Sequence, residues 1–285
     1  MRIAQPALSQ QIARLEAELG LALADRTTRR VGMTEAGERL VAHARGILRQ
    51  VDVAAEELAA LAGVRAGRLT IGASRTVGSL DLSALLAEFH RRYPEVDLAV
   101  REDLSVTLAA ALRADELDVA FITRPAGVDD DRIELRVVSR EPLVAVLAPT
   151  HRLAGRARLR VPLLEGEPIV TFPAGATIRA RLEEAAARAG YTPRVAFETN
   201  EVERMRALAA AGLGVAVLPR SDAQRPGAPI AAVAFQERDF THTVYLALRV
   251  GRHHSPAARA FIELAAAAGT GVPHIDDHAR INPGA

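Results

Sequence analysis

After Gly67 the apolar residues change their period, and that change limits the chain to one class of architecture. Short apolar runs at Leu69 to Ala73, Val96 to Arg101 and Phe121-Ile122 alternate with stretches of helical spacing over Leu82 to Tyr93 and Thr107 to Ala114. A second set follows: Leu143 to Leu147, Ile169-Val170, a helix from Ile178 to Ala189, Val195 to Phe197, a helix from Glu201 to Ala211, and Val215 to Leu218. Such alternation builds a largely parallel sheet covered by helices, an α/β fold. The two sets are closed by a strand from Thr243 to Val250 and a helix from Ala257 to Ala268. This pattern predicts two lobes joined by crossing strands, with 68–142 and 247–268 in the first and 143–246 in the second.

The half before Gly67 is helical. From Gln5 to Leu19 the residues Leu8, Ile12, Leu15 and Leu19 share one face, Pro6 suits a first turn and Gly20 a stop. A basic loop or hairpin from Asp25 to Met33 leads to Thr34, the expected N-cap of a long helix over 34–62. Along it Leu40, Ala44, Ile47, Val51, Ala54, Leu58 and Leu61 recur in steps of three and four. A seam that regular asks for a partner helix, so these seven are the candidate dimerisation residues. Residues 63–67 read as a hinge, and 269–285, rich in Gly and Pro without periodicity, as a disordered tail.

Composition narrows the function classes. The chain has 285 residues, 25% charged and 49% hydrophobic, with a formal net charge of +1, a globular profile with length for more than one core. There is no cysteine, which excludes disulfides, thiolate metal sites and thiol redox chemistry. No apolar stretch is long enough for a signal peptide or a membrane span, so a cytoplasmic protein with no membrane partner is expected.

Residues Ala4 to Ile12, with Arg14-Leu15-Glu16 and Leu19-Gly20, resemble the recognition helix of LysR-type transcription regulators. The likeness continues through Asp25-Arg26-Thr27, Arg29-Arg30-Val31 and Thr34-Glu35-Ala36-Gly37. Glu116 to Ala120, His151 to Ala154 and Ala211 to Pro219 resemble three landmarks of that family's regulatory domain. The resemblance runs from about Arg2 to about Ala266. It implies a partial winged helix-turn-helix over 1–33, a linker helix over 34–62 that pairs subunits, and a two-lobed regulatory domain like those of periplasmic binding proteins. It also implies operator DNA, a small effector and a second copy of the chain as partners, with tetramers common. Family members carry two further helices ahead of the recognition helix and an aromatic residue where this chain has Ala24. The expectation is therefore weak operator binding by this chain, either as a misassigned start or as a short form acting on full-length partners.

In a recognition helix the N-terminal end enters the major groove, where Gln pairs with adenine edges and Ser reaches bases or phosphate. Gln5, Pro6, Ser9 and Gln10 stand there, and Arg26, Arg29 and Arg30 suit phosphate or the minor groove. In a two-lobed α/β domain, ligands sit beyond the carboxyl ends of strands, beside helix N-termini. The loops there hold Ser74, Arg75, Thr76, Ser105, Thr123, Thr177 and Thr199, the candidate effector residues, and their hydroxyls suit a small organic acid. Ser105, Thr177 and Thr199 are equally what helix N-caps look like.

Catalytic signals fail. Gly72-Ala73-Ser74-Arg75-Thr76 lacks the second glycine of a nucleophile elbow, and Gly212-Leu213-Gly214 lacks the third of a dinucleotide fingerprint. His253-His254 has no accompanying ligands and reads as surface histidine, and Asp129-Asp130-Asp131 as a solvated loop. No catalytic residue, metal or cofactor is expected. The rival to a regulator is a two-lobed solute-binding protein.

Overall fold

The computed structural model describes residues 5–25, 32–61, 67–124 and 130–269. Helix α1 (Gln5–Leu19) leads to a two-stranded ribbon, β1 (Ala24–Asp25) with β2 (Gly32–Met33), and then to α2 (Glu35–Leu61). Thr34 caps α2 through its hydroxyl, which accepts from Gly37 N at 3.1 Å and donates to Ala22 O at 2.6 Å. Gly37 is required where it stands, because a Cβ there would lie 2.1 Å from the Leu23 carbonyl oxygen. Glu16 fixes the other side of this corner, accepting from Leu23 N at 2.8 Å and Ala24 N at 3.1 Å. The Thr-Glu-Ala-Gly run is thus a cap followed by a close approach.

The remainder contains β3 (Gly67–Ala73), α3 (Leu82–Arg92), β4 (Val96–Glu102), α4 (Ser105–Arg113), β5 (Val119–Thr123) and β6 (Ile133–Leu147). There follow a short 3-10 turn (Val161–Leu164), β7 (Pro168–Thr171), α5 (Thr177–Arg188), β8 (Arg194–Glu198), α6 (Val202–Ala210) and β9 (Val215–Pro219). The chain closes with α7 (Arg220–Ala223), β10 (Ala231–Ala234), β11 (Thr241–Arg249) and α8 (Pro256–Ala268). The strands lie in the order β4-β3-β5-β11-β6-β9-β7-β8, with β10 also on β6.

Strand β6 makes one sheet path of two lobes. Its first part, Ile133 to Pro142, pairs antiparallel with β11, and its last residues, Leu143 to Leu147, pair with β9 and β10. The alternation read from sequence located only the Leu143 to Leu147 part. Glu134, Arg136, Arg140 and Glu141 interrupt the apolar pattern before it, because that stretch is largely exposed on one side. The short β10 is likewise absent from the sequence reading. All of β11 from Thr241 pairs with β5 and the first part of β6, so the return to the first lobe precedes residue 247.

Each lobe has its own core. In the first, Phe89, Phe121 and Phe261 meet edge to face, with centroids 5.2 and 6.2 Å apart, between the sheet and α3 and α8. In the second, β7 and β9 bury Ile169, Val170, Val215 and Val217 beneath Leu182 of α5 and Met205 of α6. The Gly212-Leu213-Gly214 turn serves that core: Gly212 takes φ +77°, and a Cβ at Gly214 would lie 2.6 Å from Pro168 O. Asp130, expected in a solvated loop, instead ties Arg113 of α4 to the start of β6. Its carboxyl is drawn down to about 2 by that guanidinium and by Arg132.

Candidate functional site

The crevice between the lobes is built from strand ends. Ser74 follows β3 and is held by its N–H on Phe121 O at 2.8 Å, Thr123 ends β5, Ser105 opens α4, and Thr177 opens α5 after β7. Ser74, Arg75, Thr76, Ser105, Thr123 and Thr177 all line this crevice, six of the seven residues singled out from sequence. Thr199 stands outside the lining. Its hydroxyl accepts from Glu201 N at 3.2 Å while its neighbour Asn200 faces the cleft.

Ser105 and Thr177 are not helix caps. The cap positions are Leu104 and Ala176, neither with a side-chain bond to its helix. Ser105 Oγ lies 2.9 Å from Thr123 Oγ1 and accepts from Thr123 N at 3.0 Å, while Thr123 Oγ1 donates to Thr177 Oγ1 at 2.6 Å. Since the Thr123 proton goes to Thr177, Ser105 donates to Thr123, and the chain of hydroxyls crosses from the first lobe to the second. Two helix N-termini without side-chain caps therefore converge on a wall of buried hydroxyls. That arrangement attracts an anion, because uncapped N–H groups carry the positive end of the helix dipole.

Sequence reasoning missed His242. It lies on β11, lines the crevice and is buried, with Nε2–H donating to Thr76 O at 3.2 Å. Burial drives its pKa down to about 4, so the ring is neutral and the Nε2–H tautomer follows from its carbonyl partner. Nothing in the local sequence marks it, since it becomes part of the site only through the antiparallel return of β11. At the floor Glu141 accepts from Ser221 N and Ser221 Oγ, both at 2.7 Å, which pins α7 to the crossing strand. The adjacent Asp222 is pushed up to about 6 by burial. The crevice holds about 40 Å³, room for about one water. Admitting an organic ligand requires the lobes to part.

In the N-terminal half Ser9 and Gln10 are exposed on α1, while the side chains of Gln5 and Pro6 and all of Arg26, Arg29 and Arg30 lie outside the described residues. On α2, Leu40 and Ala44 are half-buried and Ala54 is exposed, as are Ile47, Val51 and Leu58 at 64%, 60% and 68%. The side chain of Leu61 lies outside the described ones. His253 is exposed, but His254 is half-buried with no hydrogen-bond partner on Nδ1. Among the described residues no group of three or more His, Asp or Glu could hold a metal ion, and no helix is long and apolar enough to cross a membrane.

A two-lobed domain with a ligand crevice at its strand ends, carried on a long helix behind a DNA-reading helix and wing, defines a ligand-responsive transcription regulator. Residues 62–270 match the model of the LysR substrate binding domain, and residues 1–38 that of the bacterial regulatory helix-turn-helix protein, lysR family. The chain belongs to the LysR family of transcriptional regulators. It is 38% identical over 216 residues to the HTH-type transcriptional regulator ShiR of Corynebacterium glutamicum, covering 75% of this chain and 72% of that protein. It is 33% identical to the hydrogen peroxide-inducible genes activator of Dickeya chrysanthemi, over 76% and 70% of the two chains. A full-length OxyR variant from Pseudomonas aeruginosa superposes with a TM-score of 0.71 at 28% identity, over 93% of this chain and 88% of that one.

Proposed function

We propose that this regulator answers to a small organic acid whose carboxylate sits between the N-termini of α4 and α5, against Ser105, Thr123 and Thr177. The convergence of those two uncapped helix ends on one hydroxyl chain carries the reading. Ser74, Thr76 and the neutral His242 line the wall beside it and can sort ligands by their hydroxyl groups, while Arg75 is exposed. The peroxide in the name of the Dickeya relative suggests no ligand here, because a chain without cysteine has no thiol to oxidise. No catalytic role is assigned to any residue, and a cytoplasmic location is the one in which such a regulator meets DNA.

Operator contact is assigned to Gln5, Pro6, Ser9 and Gln10 with Arg26, Arg29 and Arg30, and self-association to the α2 seam. At about 100° per residue, that seam lies nearly opposite Gly46, Arg49 and Val53, which face the first lobe, so its apolar side chains have no cover within one chain. A tetramer is the assembly in which two such pairs span an interrupted inverted repeat. The apolar face of α1 is also open, with Leu8, Leu15 and Leu19 exposed. Operator binding is therefore weak unless further helical structure covers that face.

A thermal-shift screen of organic acids with hydroxyl groups, followed by operator binding with and without the hit, tests the reading. A hit that binds wild type and fails with Ser105→Ala and Thr177→Val upholds it. A hit unaffected by both changes places the effector elsewhere.

A further inference from the structure

Beyond the crevice, the joint between α2 and the first lobe carries an excess of positive charge around cavities that no role above uses. Two clefts of about 380 and 470 Å³ open on either side of Arg49 and Val53. Arg45, Arg49, Arg68, Arg249 and Arg252 line them, and only three carboxylates answer, Asp115, Glu116 and Asp118. Those three are already engaged. Asp118 accepts from Thr70 N at 2.7 Å and Thr70 Oγ1 at 2.6 Å and pairs with the buried Arg252. Asp115 pairs with Arg249 and faces Arg252, and Glu116 takes Arg45 at 2.7 Å and Arg101 at 3.4 Å.

Arg49 is the guanidinium left least satisfied. It reaches Asp118 only at 3.6 Å and Thr70 Oγ1 at 3.3 Å, and its Nε is buried with no acceptor. A buried guanidinium N–H without an acceptor costs free energy that a bound anion would recover. The planar fork of arginine matches the oxygens of phosphate, and two positive charges in excess match a ligand with two negative ones. Val53 and Ala54 give the smaller cleft an apolar side, enough for the body of a small solute.

We propose that this joint binds a small phosphate-bearing anion, held by Arg49, Arg249 and Arg252, which braces the linker helix against the first lobe. The site is separate from the effector crevice but mechanically connected to it. Thr70 lies in β3 and Asp118 directly precedes β5, whose far ends supply Ser74 and Thr123. A ligand at each end of the same two buried strands bears on the same packed core.

Pyrophosphate is the probe, titrated calorimetrically into the full chain at low ionic strength. Wild type is expected to bind it saturably at one site. Arg49→Gln should weaken binding at least about tenfold, the effect of losing charge-assisted hydrogen bonds. Gly46→Glu should do the same with Arg49 intact, because it sets a carboxylate in the cleft beside Asp115, and Glu favours a helix over Gly. Arg158→Gln, at an exposed position of the second lobe, should bind as wild type does. Absence of saturable binding by wild type, or undiminished binding by both Arg49→Gln and Gly46→Glu, would overturn the proposal.

Discussion

Thr123 of the first lobe donates its hydroxyl hydrogen to Thr177 of the second at 2.6 Å, so that a single short bond crosses the mouth of the effector crevice. Thr123 is itself positioned by Ser105, which takes its backbone N–H and offers a proton to its oxygen. Closure of the lobes and display of an anion site are therefore functions of the same three hydroxyls. A ligand that enters must replace this bond, and its own oxygens can do so.

Thr177→Val keeps the shape and removes the acceptor, leaving the buried Thr123 hydroxyl without a partner across the cleft. The expected cost is about 1 to 3 kcal/mol, seen as a melting temperature lower by several degrees, while Thr177→Ser should restore most of it. An unchanged melting temperature in Thr177→Val would mean that the lobes do not meet here in solution.

Thr76→Ala combined with Ser105→Ala should weaken binding of a carboxylate effector by about 1 to 3 kcal/mol per hydroxyl lost while leaving the far-ultraviolet circular dichroism of the protein intact. Calorimetry with the ligand from the acid screen reads this directly. Equal affinity in the double variant would remove these hydroxyls from the site.

His242 and Asp222 set opposing dependences on pH. His242 has its pKa lowered to about 4 in the folded state, so its unfolded form binds the proton first, and its contribution is present above about pH 6.5 and lost as pH falls toward 4. Asp222 is raised to about 6, chiefly by burial, so its folded form holds the proton longer, and stability is lost as pH rises from about 4 through 6. Each shift corresponds to roughly 3 kcal/mol, and in wild type the two largely offset one another between pH 4 and 6. Urea unfolding across that range should show stability rising more steeply with pH in Asp222→Asn than in wild type, and less steeply in His242→Gln. Parallel profiles in all three proteins would mean that neither group is held as described.

Replacing Ile47 and Val51 with Asp places charge on the exposed seam of α2, where both side chains are more than half exposed. Light scattering should then find a smaller species than wild type, with the regulatory domain still folded. An assembly of unchanged mass would show that the seam does not join subunits.

Much of this was legible in the amino-acid order because it depends on local spacing. The helix from Gln5 to Leu19, the cap at Thr34, the regular seam and the alternation after Gly67 each follow from residues within a few turns of one another. The loops after the strands were equally legible, since a parallel α/β sheet places its ligand loops at strand ends, and six of seven candidates from those loops line one crevice.

What needed the tertiary structure was every feature that depends on residues distant in sequence. The first part of β6 could not be read because its charged, exposed face hides the alternation, and only pairing with β11, far later in the chain, makes it a strand. His242 enters the crevice through that same pairing. Ser105 and Thr177 look like caps in sequence, yet Thr123 lies between them in space and takes both hydroxyls. The charge excess around Arg49 exists only because α2 lies against Asp115, Asp118 and Arg252, residues brought together by the fold. Periodicity is a property of neighbours along the chain and is written in the sequence. Register, hydroxyl partnership and the balance of buried charge belong to pairs that meet only once the chain has folded.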